Sequence, residues 1–270
     1  MQIDAHYYAV LAFARACGFK KEAAFKIAYA SQFVDDAKIN HIIINGNLEN
    51  IEYDIIDDKP AFFNMATCHH YFKIKSLNYS SMINNTSAFH FVPGCKGKNF
   101  IKKMRCKQDS IIIGKIFKDA LLEEDPVKLG VALHPYADTF VHQGFSGLIS
   151  KVNDIKKVKL YSNHFRILEY IIVTIIQKFI KKSRYDAFFD QFMPAYGHGQ
   201  ALTYPDLPFL KWSYEYDYSD EFSESYKSSG IIDNKQRFQV AFEKIKQYLQ
   251  TYLENHPQYK DNNIKFDNFD

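Results

Sequence analysis

Apolar side chains recur at spacings of three and four along most of this chain, the period of a helix that buries one face. Tyr7 to Cys17 keeps that period until Gly18 stops it, and a second stretch, rich in Ala and Phe, runs from Lys20 to Gln32. Ser110 to Leu122 is a clear amphipathic helix. Asp125-Pro126 then opens another that runs to about Gln143, with Asp as N-cap, Pro in the first turn and Pro135 as an expected kink. Asn163 caps a long helix to about Lys182, and Asp233 opens a last one that ends near Asn255. Between these, Ile42 to Tyr53 has the pattern of a small hairpin about Asn45-Gly46. Ala61 to Phe72 reads as a short helix, Asn84 to Gly97 as irregular chain or short strand, and Tyr196 to Pro208 as loop. With no repeat and no linker, the expected fold is all-α: one mainly helical domain over 1–258, at most one small hairpin, and a polar, loosely ordered tail over 259–270.

Composition supports a packed core and narrows the class. The chain has 270 residues, 47% of them hydrophobic, with 24 Phe and 19 Tyr, which is ample for one large core. Lys and Arg number 34 against 31 acidic residues, so no whole-molecule field draws in nucleic acid or an anionic membrane. A local basic run includes Lys96, Lys98, Lys102, Lys103, Arg105 and Lys107 and is either a solvated face or a phosphate-attracting rim. Cys17, Cys68, Cys95 and Cys106 stand too far apart for a disulfide scaffold or zinc ribbon, and Cys17 and Cys68 are expected as buried, reduced packing residues. The longest apolar stretch, Ile167 to Ile180, is broken by Glu169, Gln177 and Lys178, which excludes a transmembrane span there. Asp4 and His6 stand where a signal peptide would be apolar, so the expected location is the cytoplasm, or outside it by a route without a cleaved signal.

Chemistry concentrates in Ala132-Leu-His-Pro-Tyr-Ala-Asp-Thr-Phe-Val-His-Gln-Gly-Phe. His134, Asp138 and His142 stand four residues apart, and each step of four turns a helix by about 40° and raises it about 6 Å. His134 and Asp138 can therefore grip one metal ion from a single face. His142, about 12 Å along the axis from His134, suits a second ion with Asp138 bridging. Three metal-competent groups on a core helix need partners, because unpaired burial costs several kcal/mol. Asp4-Ala5-His6 and the Asp35-Asp36 end of the second helix supply further candidates, the latter because negative charge at a helix C-terminus favours a nearby cation. His69 and His70 are candidates too, with one of each adjacent pair facing the ion. His90, flanked by Phe89 and Phe91, reads as structural, His41 and His256 as surface residues, and His198, in Tyr196-Gly-His-Gly, as a loop side chain able to reach over a cleft. No phosphate-binding glycine loop, no H-E-x-x-H, no nucleophile elbow and no paired Glu-x-x-His of a di-iron carboxylate protein occurs.

The same segment resembles the A-L-H-x-x-x-D-x-x-x-H stretch of zinc-dependent phospholipase C-like proteins, whose wider superfamily includes the P1-type nucleases, all-helical enzymes with a three-zinc cluster. Over nearly its full length the chain is also similar to a bacterial family of unknown function, DUF6765. The shared pieces are Ile3-Asp-Ala-His-Tyr-Tyr, Ile27-Ala-Tyr-Ala-Ser-Gln-Phe-Val-Asp-Asp, Phe89-His-Phe-Val-Pro-Gly, Tyr196-Gly-His-Gly and Tyr204-Pro-Asp-Leu-Pro-Phe-Leu-Lys-Trp. The superfamily pattern implies that His134, Asp138, Asp35 or Asp36, and a histidine near position 70 hold one zinc. It further implies that His6 and Asp138 serve a neighbouring ion, and His142 and His164 another. Two departures point to one or two ions instead of three: Met1 stands five residues before His6, where the phospholipases use a processed N-terminal residue as ligand, and no His-x-x-x-Glu follows His164.

The expected function is a metal-dependent hydrolase of a phosphoester: a phospholipid headgroup, a nucleotide or a small phosphodiester. Asp35 or Asp36 would orient the water, with His198 and the run near Lys102 on the substrate. Zinc suits the histidine and aspartate ligands, and manganese, iron and nickel fit them as well. The alternative is a non-catalytic helical protein that metal stabilises, with Trp212, Tyr214, Tyr216 and Tyr218 as an aromatic face for a partner.

Overall fold

The computed structural model describes residues 1–37, 54–56, 59–61, 67–68, 83, 87–97, 99–161, 195–216 and 228–263. A π-helical segment, Asp4–Ala9, runs directly into α1 (Val10–Cys17), and Gly18 ends it in the left-handed region at φ 104°. The first helix thus starts earlier than its apolar period implies, and the widened π turn carries His6 inward. Helix α2 (Lys21–Asp36) extends a full turn beyond Gln32. The short α3 (Phe100–Lys103) precedes α4 (Ile111–Leu122), capped by Ser110, and α5 (Pro126–Val141). The last helix, α6 (Asn234–Asn255), starts after the Asp233 cap. The fold is mainly helical, as its periodicity predicts.

Helix α5 is central. From Ala132 to Val141 every residue is buried, and the helix continues through Pro135. It lies against α2, which meets it at Ile27, Ala30 and Ser31. Helices approach as closely as the side chains between them allow, and here Gly130 sets the limit: a Cβ on it would run into the Ile27 carbonyl and the Ala30 methyl. Leu129, Leu133 and Phe140 of α5, Phe117 of α4, and Phe238, Ile245 and Leu249 of α6 complete one core. At the start of α5, Asp125 accepts a hydrogen bond from the Val127 amide at 2.8 Å. Asp125→Ala removes that cap and is expected to cost about 1 kcal/mol. The check is a lower denaturant midpoint at unchanged slope, with Asp125→Asn within a few tenths of a kcal/mol of the parent.

The strands were largely absent from the sequence expectation. A two-stranded hairpin pairs β1 (Asp54–Ile56) with β2 (Lys59–Ala61), later in the chain than Asn45-Gly46, which lies outside the described residues. A three-stranded antiparallel sheet joins β3 (Ile155–Leu160), β4 (Lys211–Tyr216) and β5 (Ile232–Asp233) in the order β3-β4-β5. Trp212, Tyr214 and Tyr216 alternate along β4, so all three point to one face. That face is inside: they are 0%, 3% and 5% exposed and pack with Phe91, Phe145 and Leu210 in a second core. The aromatic stripe is therefore core and not a partner surface; Tyr218 lies outside the described residues.

Other local expectations shift as well. Of Ala61 to Phe72, Ala61 closes β2, Thr67 and Cys68 lie outside regular structure, and the remainder is not described. The helix from Asn163 to Lys182 also lies outside the described residues. Cys17 and Cys68 are half-buried, whereas Cys106 is enclosed. His256 is buried and donates through Nε2 to the Leu121 carbonyl at 3.1 Å. Arg105 turns inward, so the basic run is not one exposed face. The start of the polar tail is tied back, with the Asp261 amide donating to the Gly18 carbonyl at 2.8 Å.

Candidate metal centre

Helix α5 brings the site together. Because Cβ atoms four apart stack on one face, His134 and Asp138 share a direction, and His142 follows as the C-cap residue, its amide bonded to the Asp138 carbonyl at 2.9 Å. Asp138 lies between the two imidazoles: its Oδ2 is 3.5 Å from His134 Nε2 and 3.6 Å from His142 Nδ1. The π-helical segment adds His6, stacked on His134 with ring centroids 3.8 Å apart and its Nε2 3.2 Å from Asp138 Oδ1. The end of α2 adds Asp35, whose Oδ1 lies 3.6 Å from His134 Nε2 and 3.8 Å from His90 Nδ1. Beyond α5, the turns after Tyr196 add His198 and Asp206. Asp206 Oδ1 is 3.0 Å from His142 Nε2, and its Oδ2 is 3.5 Å from His198 Nε2.

Three ligand groups result: His6, His134 and Asp138; Asp35, His90 and His134; and His142, His198 and Asp206. Within each, the coordinating atoms all lie within 4.8 Å of one another. Tetrahedral zinc with bonds of about 2.0–2.2 Å separates neighbouring ligand atoms by about 3.3–3.6 Å. The spacings given above, from 3.0 to 3.8 Å, bracket that edge.

Tautomers sharpen the fit. His134 Nδ1 donates to the Ser31 carbonyl at 2.8 Å, and His142 Nδ1 to the His90 carbonyl at 2.8 Å. His90 Nε2 donates to the Thr67 carbonyl and His198 Nδ1 to the Leu202 carbonyl, each at 2.7 Å. A backbone carbonyl only accepts, so the proton of each neutral ring is fixed on the outer nitrogen and the lone pair of the other faces the carboxylates. His90 Nδ1 and His134 Nε2 meet at 3.1 Å. Two lone pairs at that distance repel unless a proton or a cation sits among them. His6 makes the same point differently, since its Nδ1 is buried without a hydrogen bond while its Nε2 faces the Asp138 carboxylate.

The electrostatics follow from the crowding. Burial opposes ionisation of Asp138, yet the Met1 ammonium and the imidazoles of His142, His6 and His134 hold it well below the usual carboxylate range. Burial likewise opposes charge on Asp206, and the Met1 ammonium and His198 depress it. Burial, reinforced by His134, pulls His6 down to about 4. Burial also brings His198 to about 4, against the opposing pull of Asp206. For His90, burial is outweighed by Asp138 and Asp35, which push it up. The Met1 amine lies 2.5 Å from Asp138 Oδ1 and 3.1 Å from Asp206 Oδ1 and links the first group to the third, despite the five-residue offset from His6.

A family model covers residues 1–270 without a break. The chain belongs to DUF6765, a family of unknown function. No curated protein and no solved structure matches it.

In this DUF6765 chain, His6, Asp35, His134, Asp138 and His142 stand in the ligand groups, as does His198, which the sequence placed over a cleft as a substrate contact. His198 is 5% exposed and faces Asp206, in a group that could hold a metal ion. Asp36 does not join: it is exposed and accepts a hydrogen bond from Gln32 at 3.4 Å. Adjacent helical residues point about 100° apart, so only Asp35 faces inward. His69, His70 and His164 lie outside the described residues. Sequence reasoning set His90 aside as structural and passed over Asp206. His90 was legible only through Phe89-His-Phe-Val-Pro-Gly, and Asp206 through the Tyr-Pro-Asp turn, neither of which has metal-ligand spacing to other residues.

Proposed function

We propose that this chain is a metal-dependent hydrolase of phosphoesters, with zinc as the ion that best suits its histidine and aspartate ligands. One observation carries the reading: imidazole lone pairs, fixed by backbone carbonyls, converge on Asp138 and Asp206 at coordination spacing. The helical arrangement around α5 and the resemblance of its His-x-x-x-Asp-x-x-x-His segment to phospholipase C-like proteins support the same class. A bound ion would supply a water of lowered pKa and charge to offset the phosphoryl oxygens.

The chain's own residues divide the remaining work. Asp138 joins the two halves of the site and sets where an ion sits. Among the described candidate ligands Asp35 is the most accessible, its side chain 32% exposed against 2% for Asp138 and 10% for Asp206. Substrate and water therefore reach the groups from the end of α2, where the Asp35 carboxylate can orient a water and accept its proton. The substrate class is a phospholipid headgroup, a nucleotide or a small phosphodiester. The deep burial of the other ligands favours the second reading, a metal that stabilises the fold and performs no chemistry.

The two readings separate in one experiment. Metal content of the purified protein is measured by elemental analysis, and turnover of bis(p-nitrophenyl) phosphate and its monoester is assayed on the same sample. Asp35→Asn is expected to lower turnover by about 10²-fold while leaving at least one ion bound. Full metal content with no turnover of either ester supports the structural role and rejects the hydrolase.

A further inference from the structure

Asp206 sits on a short turn between two loops, so its carboxylate has no regular element to aim it. Yet it meets His142 and His198 at 3.0 and 3.5 Å. What holds the turn is Asn234, the first residue of α6, with a side chain that is fully buried. Its Nδ2 donates to the Tyr204 carbonyl at 2.6 Å and to the Leu207 carbonyl at 2.8 Å. These two carbonyls bracket Asp206 on either side. The Asn234 amide N–H also donates to the Leu210 carbonyl at 3.0 Å. On the other side, Trp212 Nε1 donates to Asn234 Oδ1 at 3.1 Å, which fixes which end of the amide is nitrogen.

We propose that Asn234 is a positioning residue for Asp206, and that Trp212 locks it. Both donor hydrogens of the amide and its oxygen are committed, so the amide cannot turn without losing every bond. The anchor behind it is rigid: α6 has 22 residues and buries Phe238, Ala241, Ile245 and Leu249 in the helical core. The network therefore transmits the position of α6 to Asp206 of the His142, His198 and Asp206 group, the ligand between its two carbonyl acceptors. This inference rests on the metal reading given above. It adds that Asp206 of the third group is held by α6 and β4, whereas His6, Asp35, His134 and Asp138 stand on the π-helical segment, α2 and α5.

The test is metal binding, read without activity. Metal-free parent, Asn234→Ala and Trp212→Phe proteins are titrated with zinc, and bound ions per chain and site affinities are measured. Loss of an outer hydrogen-bonding partner typically weakens metal binding by about 10–100-fold. Asn234→Ala is expected to weaken one class of site by that factor while the remaining ion binds as in the parent. Trp212→Phe, which keeps an aromatic ring but removes the N–H together with part of the indole volume, is expected to weaken the same class to a smaller extent. In the parent, the fluorescence of Trp212, the single tryptophan of the chain, should change as that class fills, and should still do so in His6→Ala. Equal weakening of all sites by either variant, or parental affinity in both, overturns the proposal. If Asn234→Ala fails to fold, Trp212→Phe alone decides it. A parent that binds no zinc overturns the metal reading itself.

Discussion

Asp138→Asn should strip the protein of bound metal more completely than any other single substitution. The carboxylate is 2% exposed and lies against His6, His90, His134 and His142, between 3.2 and 3.6 Å from each. It thus lies against members of all three ligand groups. Asparagine keeps its volume and removes its charge, so coordination is tested with little change in packing. The expected result is loss of at least one ion per chain and a fall in phosphodiester turnover of 10³-fold or more, roughly what removal of a metal-held nucleophile costs. His6→Ala, which removes a member of one group, should lose less metal. Parental metal content and parental turnover in Asp138→Asn would end the functional reading. Asp138→Asn and Asp138→Ala both remove the charge that faces the buried Met1 ammonium, and Asp138→Ala is the less informative because it also removes the hydrogen-bond acceptor and leaves a cavity.

Removal of metal should lower thermal stability by a margin easily read in a melting curve. An ion bound only by the native state stabilises it by about 2.7 kcal/mol at 100 times its dissociation constant and about 4.1 kcal/mol at 1,000 times. In a protein of this size each kcal/mol moves the midpoint by about 2–4 °C. Chelation is therefore expected to lower Tm by about 5–15 °C, and graded addition of zinc should restore it in proportion to the logarithm of the free concentration. The physical source is the set of buried imidazoles whose lone pairs face one another and the carboxylates. Without a cation they retain only protons and the Met1 ammonium as countercharge. An identical Tm in chelator and in zinc would show that hydrogen bonds alone satisfy the cluster.

Within the site, sequence and structure agree where the ligands share a helix and part company where they do not. His134, Asp138 and His142 are legible because four-residue spacing on an amphipathic helix is a local geometric fact. Asp35 was legible as a charge at an unfavourable helix end, but not its choice over Asp36, which depends on which way the last turn of α2 faces α5. His6 enters through a π-helical segment, and widened turns leave no mark in apolar spacing. His198 and Asp206 belong to loops whose path is set by Asn234 and by the sheet.

By itself the sequence determined the helices from Ser110 to Val141 and from Asp233 to Asn255, with their caps, and it determined that three metal-competent side chains stand in register on the central one. These are consequences of hydrogen bonding and periodicity within about four residues, so nothing distant is needed to read them. Only the tertiary structure decided that Trp212, Tyr214 and Tyr216 are core, that Asp35 rather than Asp36 faces inward, and that His90, His198 and Asp206 complete the ligand groups. Those outcomes rest on contacts between residues far apart in the chain, such as the His90 Nε2 bond to Thr67 and the Asn234 bonds to Tyr204 and Leu207. Such contacts form only when helices and sheet have packed, and no local pattern specifies them.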